Sequence, residues 1–121
     1  MTDKAPRVID YLRHIVDAIE RVREYTQGVS EQEFYSNTLL QDAAIRNFEI
    51  MGEASRNVER HGKNLPELQD KLKVFREVYW MRNALAHGYF DVNLTIVWNA
   101  IKGDLDVLEQ QVQELYQKLH K

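Results

Sequence analysis

Apolar and polar residues alternate along this chain with the period of an α-helix. From about Pro6 to Tyr25 the apolar positions are spaced four and three residues apart, so they fall on one face of a helix. That stripe consists of Val8, Leu12, Ile15, Ile19 and Val22. A long amphipathic first helix is therefore predicted, with Gly28 at its end.

A short second helix is predicted because Ser30 and Glu33 form a capping-box pattern. In this pattern the serine hydroxyl and the glutamate carboxylate each satisfy a free backbone amide at the start of a helix. The residues Ser36–Thr38 are then expected to break the chain and to cap a third helix.

The third helix is predicted from about Leu39 to His61, with Gly62 as its stop. One stripe predicts a core face and consists of Leu40, Ala44, Phe48, Met51, Ser55 and Val58. A second stripe mixes apolar and charged residues and consists of Ala43, Arg46, Ile50, Glu53 and Asn57. Two interpretations stay open. The second stripe is either a core boundary with an ordinary Arg46–Glu53 pair, or it lies beside a functional site.

The fourth helix is predicted from Pro66 to about Ala86 and is apolar on more than half of its circumference. Its inner face consists of Leu68, Leu72, Phe75, Tyr79 and Arg82, and its second stripe consists of Val74, Val78, Met81 and Leu85. Such a helix is either buried in the centre of a bundle or pairs with another chain. Trp80 favours a contact surface, because tryptophan is enriched in interfaces, but a plain core position is an equal alternative.

The last helix is predicted to begin after Asn93, a good capping residue, and to reach nearly to the C-terminus. Its stripe consists of Leu94, Trp98, Ile101, Leu105, Leu108, Val112, Leu115 and Leu119. No segment alternates with period two for long enough to be a strand. The sequence therefore predicts an all-α fold: one domain over residues 1–121, built as an up-and-down bundle of four long helices with one short extra helix.

Composition narrows the possible functions. With 121 residues the chain can bury a core without covalent staples, and its lack of cysteine excludes a disulfide framework or a thiolate metal site. The formal net charge of -3 argues against a protein that holds nucleic acid by bulk charge, so RNA binding would need a local basic patch. Neither a signal peptide nor an apolar stretch of membrane-spanning length is present, so a soluble cytoplasmic protein is expected.

The chemistry of the chain concentrates in the stretch Arg82–Tyr89, where an Arg is followed by four residues and then by His87, Gly88 and Tyr89. One interpretation is purely structural. His87 would be a cation in the last turn of a helix, Gly88 a cap residue and Tyr89 an apolar residue folded back on Leu85. The position of the Arg, five residues before the His, and the added Tyr favour a functional site instead.

This stretch resembles the Arg-x4-His-x-Tyr motif of the HepT-like toxins, which belong to the HEPN superfamily of helical ribonuclease domains. The segment Arg46–Ala54 is similar to the middle helix of that family, and the similarity of order and length covers nearly the whole chain. The resemblance implies a HEPN-like bundle and a metal-independent endoribonuclease. Arg82 and His87 would be catalytic, and Arg46, Glu53 and Asn83 are candidates for polar residues that support them.

The resemblance also implies partners. HepT-like proteins are toxins of toxin–antitoxin pairs, and HEPN ribonucleases act as dimers, so a homodimer or a larger complex with the antitoxin is expected. The antitoxin of the family is MntA, a small nucleotidyltransferase that transfers AMP from ATP to the motif tyrosine, here Tyr89. Neither a cofactor nor a metal is implied. The added phosphate would bring negative charge close to Arg82 and His87.

RNA can be cut without a metal when its own 2′-hydroxyl attacks the adjacent phosphorus. His87 could act as base or acid, since histidine titrates near neutral pH, and Arg82 could hold phosphate oxygens. At ~100° per residue, however, the two side chains point about 140° apart on a straight helix. Either the helix ends before His87 and its ring swings back, or a second subunit completes the site.

The competing function is a non-catalytic helical subunit that binds a nucleotide and partners a nucleotidyltransferase. The acidic net charge favours this alternative over a ribonuclease. A third possibility is a plain helical homodimer with a capped helix end. The sequence does not identify the RNA target, the state of Tyr89 or the size of the assembly.

Overall fold

The computed structural model describes residues 4–87 and 93–120, and of residues 4, 5, 86 and 87 it describes the backbone alone. Its elements, in chain order, are all helical. They are α1 (Lys4–Thr26), α2 (Glu31–Ser36), α3 (Thr38–Gly62), a 3-10 turn (Pro66–Lys71), α4 (Leu72–His87), α5 (Leu94–Asn99), a π-helical segment (Ala100–Asp104) and α6 (Leu105–Leu119). The predicted all-α bundle with four long helices and one short helix is confirmed, since α5, the π segment and α6 follow one another without a break.

The core lies where α3 packs against α1, with α4 packed against α3 and α6 packed against α1. All five members of the predicted stripe of α1 are fully buried, as are Met51 and Val58 of α3. Burying an aliphatic side chain of this size stabilises a fold by about 1.5–3 kcal/mol. The four-and-three spacing therefore identified the surfaces that hold the bundle together.

The helix starts follow the predicted capping chemistry. The Ser30 hydroxyl accepts a hydrogen bond from the amide of Glu33, and the Glu33 carboxylate accepts one from the amide of Ser30. Asn37 caps α3 by accepting from the amide of Leu40, and Asn93 caps α5 by accepting from the amides of its second and third following residues. Each such cap stabilises a helix by about 1 kcal/mol.

α3 ends at Gly62, as predicted, but this glycine is buried and is not in the left-handed conformation. Among the described glycines, Gly28 has a positive φ, at 73°. A Cβ atom on Gly62 would lie 2.8 Å from a Leu68 methyl carbon and 3.0 Å from one of Val8. Glycine is needed here because three chain segments approach closely, not because the backbone is left-handed.

The predicted helix from Pro66 to Ala86 is two elements rather than one. Pro66–Lys71 forms a 3-10 turn, in which residues three apart lie on the same side, so Leu68 and Lys71 both face inward. The buried Lys71 ammonium donates hydrogen bonds to Gln111 at 2.7 Å and to Glu114 at 2.8 Å. This turn thereby ties the start of α4 to α6.

The C-terminal stripe is buried as predicted, except that Leu94 and Leu119 at its two ends are half-buried. The π-helical segment Ala100–Asp104 was not predicted. Across the described residues, no helix has the length and apolar composition that crossing a membrane takes.

Candidate active site

Arg82 lies on the face of α4 that packs against α3, opposite Gly52. A Cβ atom on Gly52 would lie 2.1 Å from Cβ of Arg82 and 2.6 Å from its Cγ, so only glycine leaves room for the arginine stem. A glycine inside a helix costs about 1 kcal/mol relative to alanine. Gly52 carries this cost at the point where Arg82, the arginine of the motif, packs against α3.

The guanidinium of Arg82 is only partly satisfied. Its Nη1 donates to Oδ1 of Asn83 at 2.9 Å, and its Nη2 lies 3.7 Å from a carboxylate oxygen of Glu53. At that distance Arg82 and Glu53 form an ion pair, but their separation exceeds the 2.7–2.9 Å typical of a charge-assisted hydrogen bond. The buried Nε has no partner among the described residues. Arg82 therefore keeps hydrogen-bonding capacity for an anion.

Arg82 belongs to a series of polar contacts between α3 and α4, which we call the polar seam. Glu59 pairs with Arg76 at 2.5 Å, the Arg56 guanidinium donates to the Tyr79 hydroxyl, and Glu53 pairs with Arg82. The contacts descend along α3 as they ascend along α4, because the two helices are antiparallel. These contacts fix the position of Arg82 along the axis of α3.

Tyr79 lies one turn before Arg82 within this seam. The Asn83 side chain, through a hydrogen bond, contributes most to lowering the pKa of the Tyr79 phenol, and the guanidinium groups of Arg56 and Arg82 lower it further. The Arg56 guanidinium also lies over the Tyr79 ring, 4.8 Å from its centre. The pKa of Tyr79 is thus lowered first by a hydrogen bond and then by two nearby guanidinium groups, against an opposing contribution from burial.

A groove of about 420 Å³ opens beside Arg82 between α1, α3 and α4. Arg46 and Glu53, the candidate supporting residues of α3, both line it. Because α3 and α4 are antiparallel, Arg46 lies toward the end of α4 that carries His87. The structure thus gathers Arg82, Arg46 and Glu53 around one groove, with Asn83 hydrogen-bonded to Arg82. The groove is lined by Tyr11, His14, Arg46, Glu49, Ile50, Glu53, Ala54, Asn57 and Arg82.

The backbone of α4 remains helical through His87. The expectation that the helix could end before His87 is therefore wrong, and positions 82 and 87 stay about 140° apart around the helix axis. Position 87 is seven residues, nearly two whole turns, after Trp80, whose side chain is 72% exposed. Position 87 accordingly follows the solvent-facing side of α4, which Trp80 and Ala84 share. Arg82 is on the α3 side.

The burial of α4 also differs from what its apolar residues, which cover more than half of its circumference, led us to expect. Phe75 and Leu85 are buried, whereas Val74, Val78 and Met81 are only half-buried and Trp80 is exposed. The helix therefore does not occupy the centre of the bundle. The residues Gly88–Val92, including Tyr89, lie outside the described residues.

Sequence reasoning missed three features of this site. Gly52 could have been found, because a glycine in the middle of a long amphipathic helix signals a close approach. Tyr79 was assigned only to the inner face of α4, since periodicity does not show which polar residue of α3 it meets. Tyr11 and His14 left no signal, because nothing in the pattern of α1 shows that they face Arg82 across a groove.

The geometry suits recognition of a phosphate ester. A guanidinium whose carboxylate partner lies 3.7 Å away can donate hydrogen bonds to phosphate oxygens in a fixed fork. Position 87 carries a histidine, the residue that most often transfers protons near neutral pH, but on another face of α4. The two positions thus lie about 140° apart around the axis of α4.

Comparison with known proteins gives a family. The family model described as "Ribonuclease HepT-like" matches residues 15–115. A protein from Caldanaerobacter subterraneus subsp. tengcongensis, named "Putative RNase", is 37% identical over 115 residues, which are 95% of this chain and 97% of that protein. A protein from Thermococcus cleftensis, named "Probable ribonuclease HepT", is 36% identical over 107 residues, or 88% of this chain and 93% of that protein.

A longer relative from Methanocaldococcus jannaschii is named "Gamma-glutamylcyclotransferase and putative RNase". It is 37% identical over 114 residues, which are 92% of this chain but 48% of that protein, so the chain spans about half of its length. No solved structure matches the chain.

Proposed function

Because the chain belongs to the HepT-like ribonuclease family, we propose that it is a metal-independent endoribonuclease that cleaves RNA at Arg82 and His87. The predicted family is confirmed by this membership, and so is ribonuclease as the broad class of enzyme. The observation that carries the assignment of residues is the state of Arg82, which is held in place by Gly52 and Asn83 yet keeps an unpartnered Nε.

The proposed reaction needs three groups. The 2′-hydroxyl of a nucleotide attacks the adjacent phosphorus and loses its proton to a base, while the 5′-oxygen leaves and takes a proton from an acid. His87 serves as base or acid, and each such transfer contributes about 10²–10⁴-fold in rate. Arg82 binds the phosphate oxygens and stabilises the charge that develops on them. Glu53 and Asn83 hold the guanidinium, and Arg46 lies on the same groove.

We further propose that two copies of the chain share the site. Arg82 faces α3, and position 87 lies about 140° away from it around the axis of α4. A two-fold dimer in which position 87 of each copy reaches Arg82 of the other copy would complete the site. The exposed Trp80 supports a contact surface on α4, because aromatic residues are enriched at such surfaces.

The proposed biological role is that of a toxin in a toxin–antitoxin pair, acting on RNA in the cytoplasm. Its antitoxin would be an MntA-like nucleotidyltransferase that neutralises it. In the proposed modification the Tyr89 oxygen attacks the α-phosphorus of ATP, pyrophosphate leaves, and the tyrosine proton passes to solvent. The resulting AMP phosphodiester adds one negative charge two residues from His87 and occupies space that RNA would need.

The ribonuclease assignment is tested with pure protein, RNA and EDTA. The wild-type chain is expected to cleave RNA in the presence of the chelator, and His87→Ala is expected not to, with the same melting temperature. Binding of a nucleotide without any cleavage would instead select the competing function, a non-catalytic nucleotide-binding subunit. Equal cleavage by His87→Ala would remove His87 from the mechanism.

The regulatory half of the proposal is tested with Tyr89→Phe. This variant is expected to keep its ribonuclease activity and to escape neutralisation by the partner nucleotidyltransferase with ATP. If the partner still silences Tyr89→Phe, it acts by binding, and the assignment of Tyr89 as the modified residue is wrong.

A further inference from the structure

The groove beside Arg82 has a second wall, on α1, that the proposed chemistry does not use. Tyr11 and His14 line the groove from this side, facing Arg46, Glu53 and Arg82. The volume of about 420 Å³ falls in the range of pockets that hold small organic ligands. The groove is therefore large enough to hold part of a ligand between α1 and Arg82.

Aromatic rings are concentrated on this wall. Tyr11 stacks on His61, with ring centres 5.4 Å apart and planes inclined by 18°, and meets His14 edge-on at 5.9 Å. His61 holds the Tyr11 ring in place from one side, and His14 is exposed. A supported ring beside an exposed imidazole offers flat surface for stacking, and every nucleobase has a face that stacks on such surfaces.

A second groove continues beyond the same two residues. It has a volume of about 490 Å³, and Tyr11 and His14 line it together with Arg7. The Tyr11–His14 pair therefore separates two adjoining grooves, one that contains Arg82 and one that contains Arg7. An extended strand could cross the pair with one nucleotide on each side.

The charges of the two grooves favour single-stranded nucleic acid over a duplex. Each groove contains two acidic side chains beside its arginines, so neither presents a broad positive surface for a duplex backbone. Arg46 and Arg7 make no ion pair or side-chain hydrogen bond within the described part of the chain, and each could contact one phosphate. The carboxylates can accept hydrogen bonds from base amino groups or 2′-hydroxyls.

We propose that the α1 wall is a binding subsite for the RNA nucleotides that flank the phosphate held by Arg82. The bases stack on Tyr11 and His14, and Arg46 contacts the next phosphate. The subsite rests on the proposed ribonuclease function, which it extends by naming single-stranded RNA as the substrate class. It also explains how an acidic protein holds RNA, namely through stacking and a few local contacts.

The experiment uses His87→Ala as the background, so that RNA is bound without being cut, and measures fluorescence anisotropy with a labelled single strand of about ten nucleotides. Adding Tyr11→Leu is expected to weaken binding about tenfold, because stacking on one aromatic residue is worth that much. Adding Tyr11→Phe keeps the ring and is expected to leave binding unchanged. His14→Ala, at an exposed position, is a second test that does not disturb the core.

The matched control is Tyr25→Leu, which removes an exposed tyrosine from the same helix about 21 Å away, at 1.5 Å per residue. It is expected to have no effect on binding. If Tyr11→Leu and His14→Ala bind the labelled strand as tightly as the control Tyr25→Leu does, and all three variants are folded, the proposed subsite is wrong. AMP is the second probe. If it binds as tightly as the strand, the groove is a mononucleotide site and the proposal fails.

Kinetics separate this proposal from the ribonuclease assignment. In the chain with intact His87, Tyr11→Leu is expected to raise KM for the long strand about tenfold while kcat stays unchanged, because stacking on Tyr11 binds the substrate and its transition state equally. If the intact chain cleaves no RNA, the proposed function fails, whatever Tyr11 does. If it cleaves RNA and Tyr11→Leu leaves KM for the long strand unchanged, the subsite alone fails.

Discussion

The cations that join α6 to the rest of the bundle and the arginine of the candidate site are satisfied to different degrees. On the α1–α6 side, Arg23 contacts Asp106 at 2.5 Å and Glu109 at 2.6 Å, and the buried ammonium of Lys71 contacts Glu114 at 2.8 Å. These are direct, charge-assisted hydrogen bonds that join helices distant in sequence.

On the α3–α4 side, Arg82 stands 3.7 Å from Glu53 and keeps a buried Nε without a partner in the part of the chain that the structure describes. Arg46 has no ion pair there either. A buried hydrogen-bond donor without a partner costs about 1–3 kcal/mol of stability, and such donors are therefore uncommon in folded proteins. The comparison supports the proposal that Arg82 is kept for a ligand, whereas Arg23 and Lys71 join elements of the fold.

The largest effect is expected from applying one substitution to both sides. Arg82→Lys keeps a positive charge and a long stem but loses the guanidinium fork, so RNA cleavage should fall about 10²–10³-fold. Arg23→Lys makes the same chemical change in the structural pair and should keep its kcat. The measurement is kcat on one RNA for the two variants, with melting curves for both.

Similar cleavage by the two variants would contradict the difference in role between Arg82 and Arg23. Full cleavage by Arg82→Lys would show that any cation suffices at this position. A large loss of cleavage in Arg23→Lys, at an unchanged melting temperature, would place the α1–α6 side in the active site.

The next effect concerns Gly52, which places Arg82 against α3. Gly52→Ala sets a methyl group 2.1 Å from Cβ of Arg82, and because that atom is attached to the backbone of α4, the two helices must move apart. Such overpacking costs about 1–3 kcal/mol of unfolding free energy and should also lower kcat. Chemical denaturation and cleavage assays measure the two effects.

Gly103→Ala is the control for Gly52→Ala. A Cβ at Gly103 would meet nothing within 4 Å, so this substitution should raise the unfolding free energy by up to about 1 kcal/mol, the helix preference of alanine over glycine, and leave cleavage nearly unchanged. Wild-type stability and cleavage in Gly52→Ala would show that α3 and α4 do not fix the position of Arg82.

The smallest effect is expected at the structural pair of Lys71 and Glu114, and it depends on pH. A hydrogen bond from Lys71 and the charge of its ammonium lower the pKa of the Glu114 carboxyl in the folded chain. A lowered carboxyl pKa stabilises the fold above the unfolded pKa, and the stabilisation is lost as pH falls through the folded pKa. Glu114→Gln should therefore lower the melting temperature at neutral pH, and the difference from wild type should vanish in acid. A difference that is constant with pH would contradict this account.

The fold could be predicted from the sequence because its helices obey one rule. The α1 stripe from Val8 to Val22 is buried at every position, and the Ser30–Glu33 box forms both of its hydrogen bonds. Departures arose where backbone geometry varies without changing the apolar spacing. The four-and-three pattern passes through Ala100–Asp104 unaltered, so it gives no sign of the π-helical turn.

The candidate site could be predicted only in part, because it depends on relations between helices. The sequence shows that Arg82, His87 and Tyr89 are close along the chain, but not that Arg82 crosses α3 at Gly52. It also left open whether the helix ends before His87. Tyr11 became a candidate only when α1 was seen to form the far wall of the Arg82 groove.

The central claim is that Arg82 of one copy acts with His87 of another, and mixing two inactive variants tests it most directly. Arg82→Ala and His87→Ala chains are unfolded together, refolded and assayed on RNA, with native mass spectrometry to count mixed dimers. Random pairing makes about half of the dimers mixed, each with one intact Arg82 and one intact His87 on different copies. The account predicts that the mixture regains cleavage that neither variant shows alone. Mixed dimers as inactive as the two separate variants would contradict it.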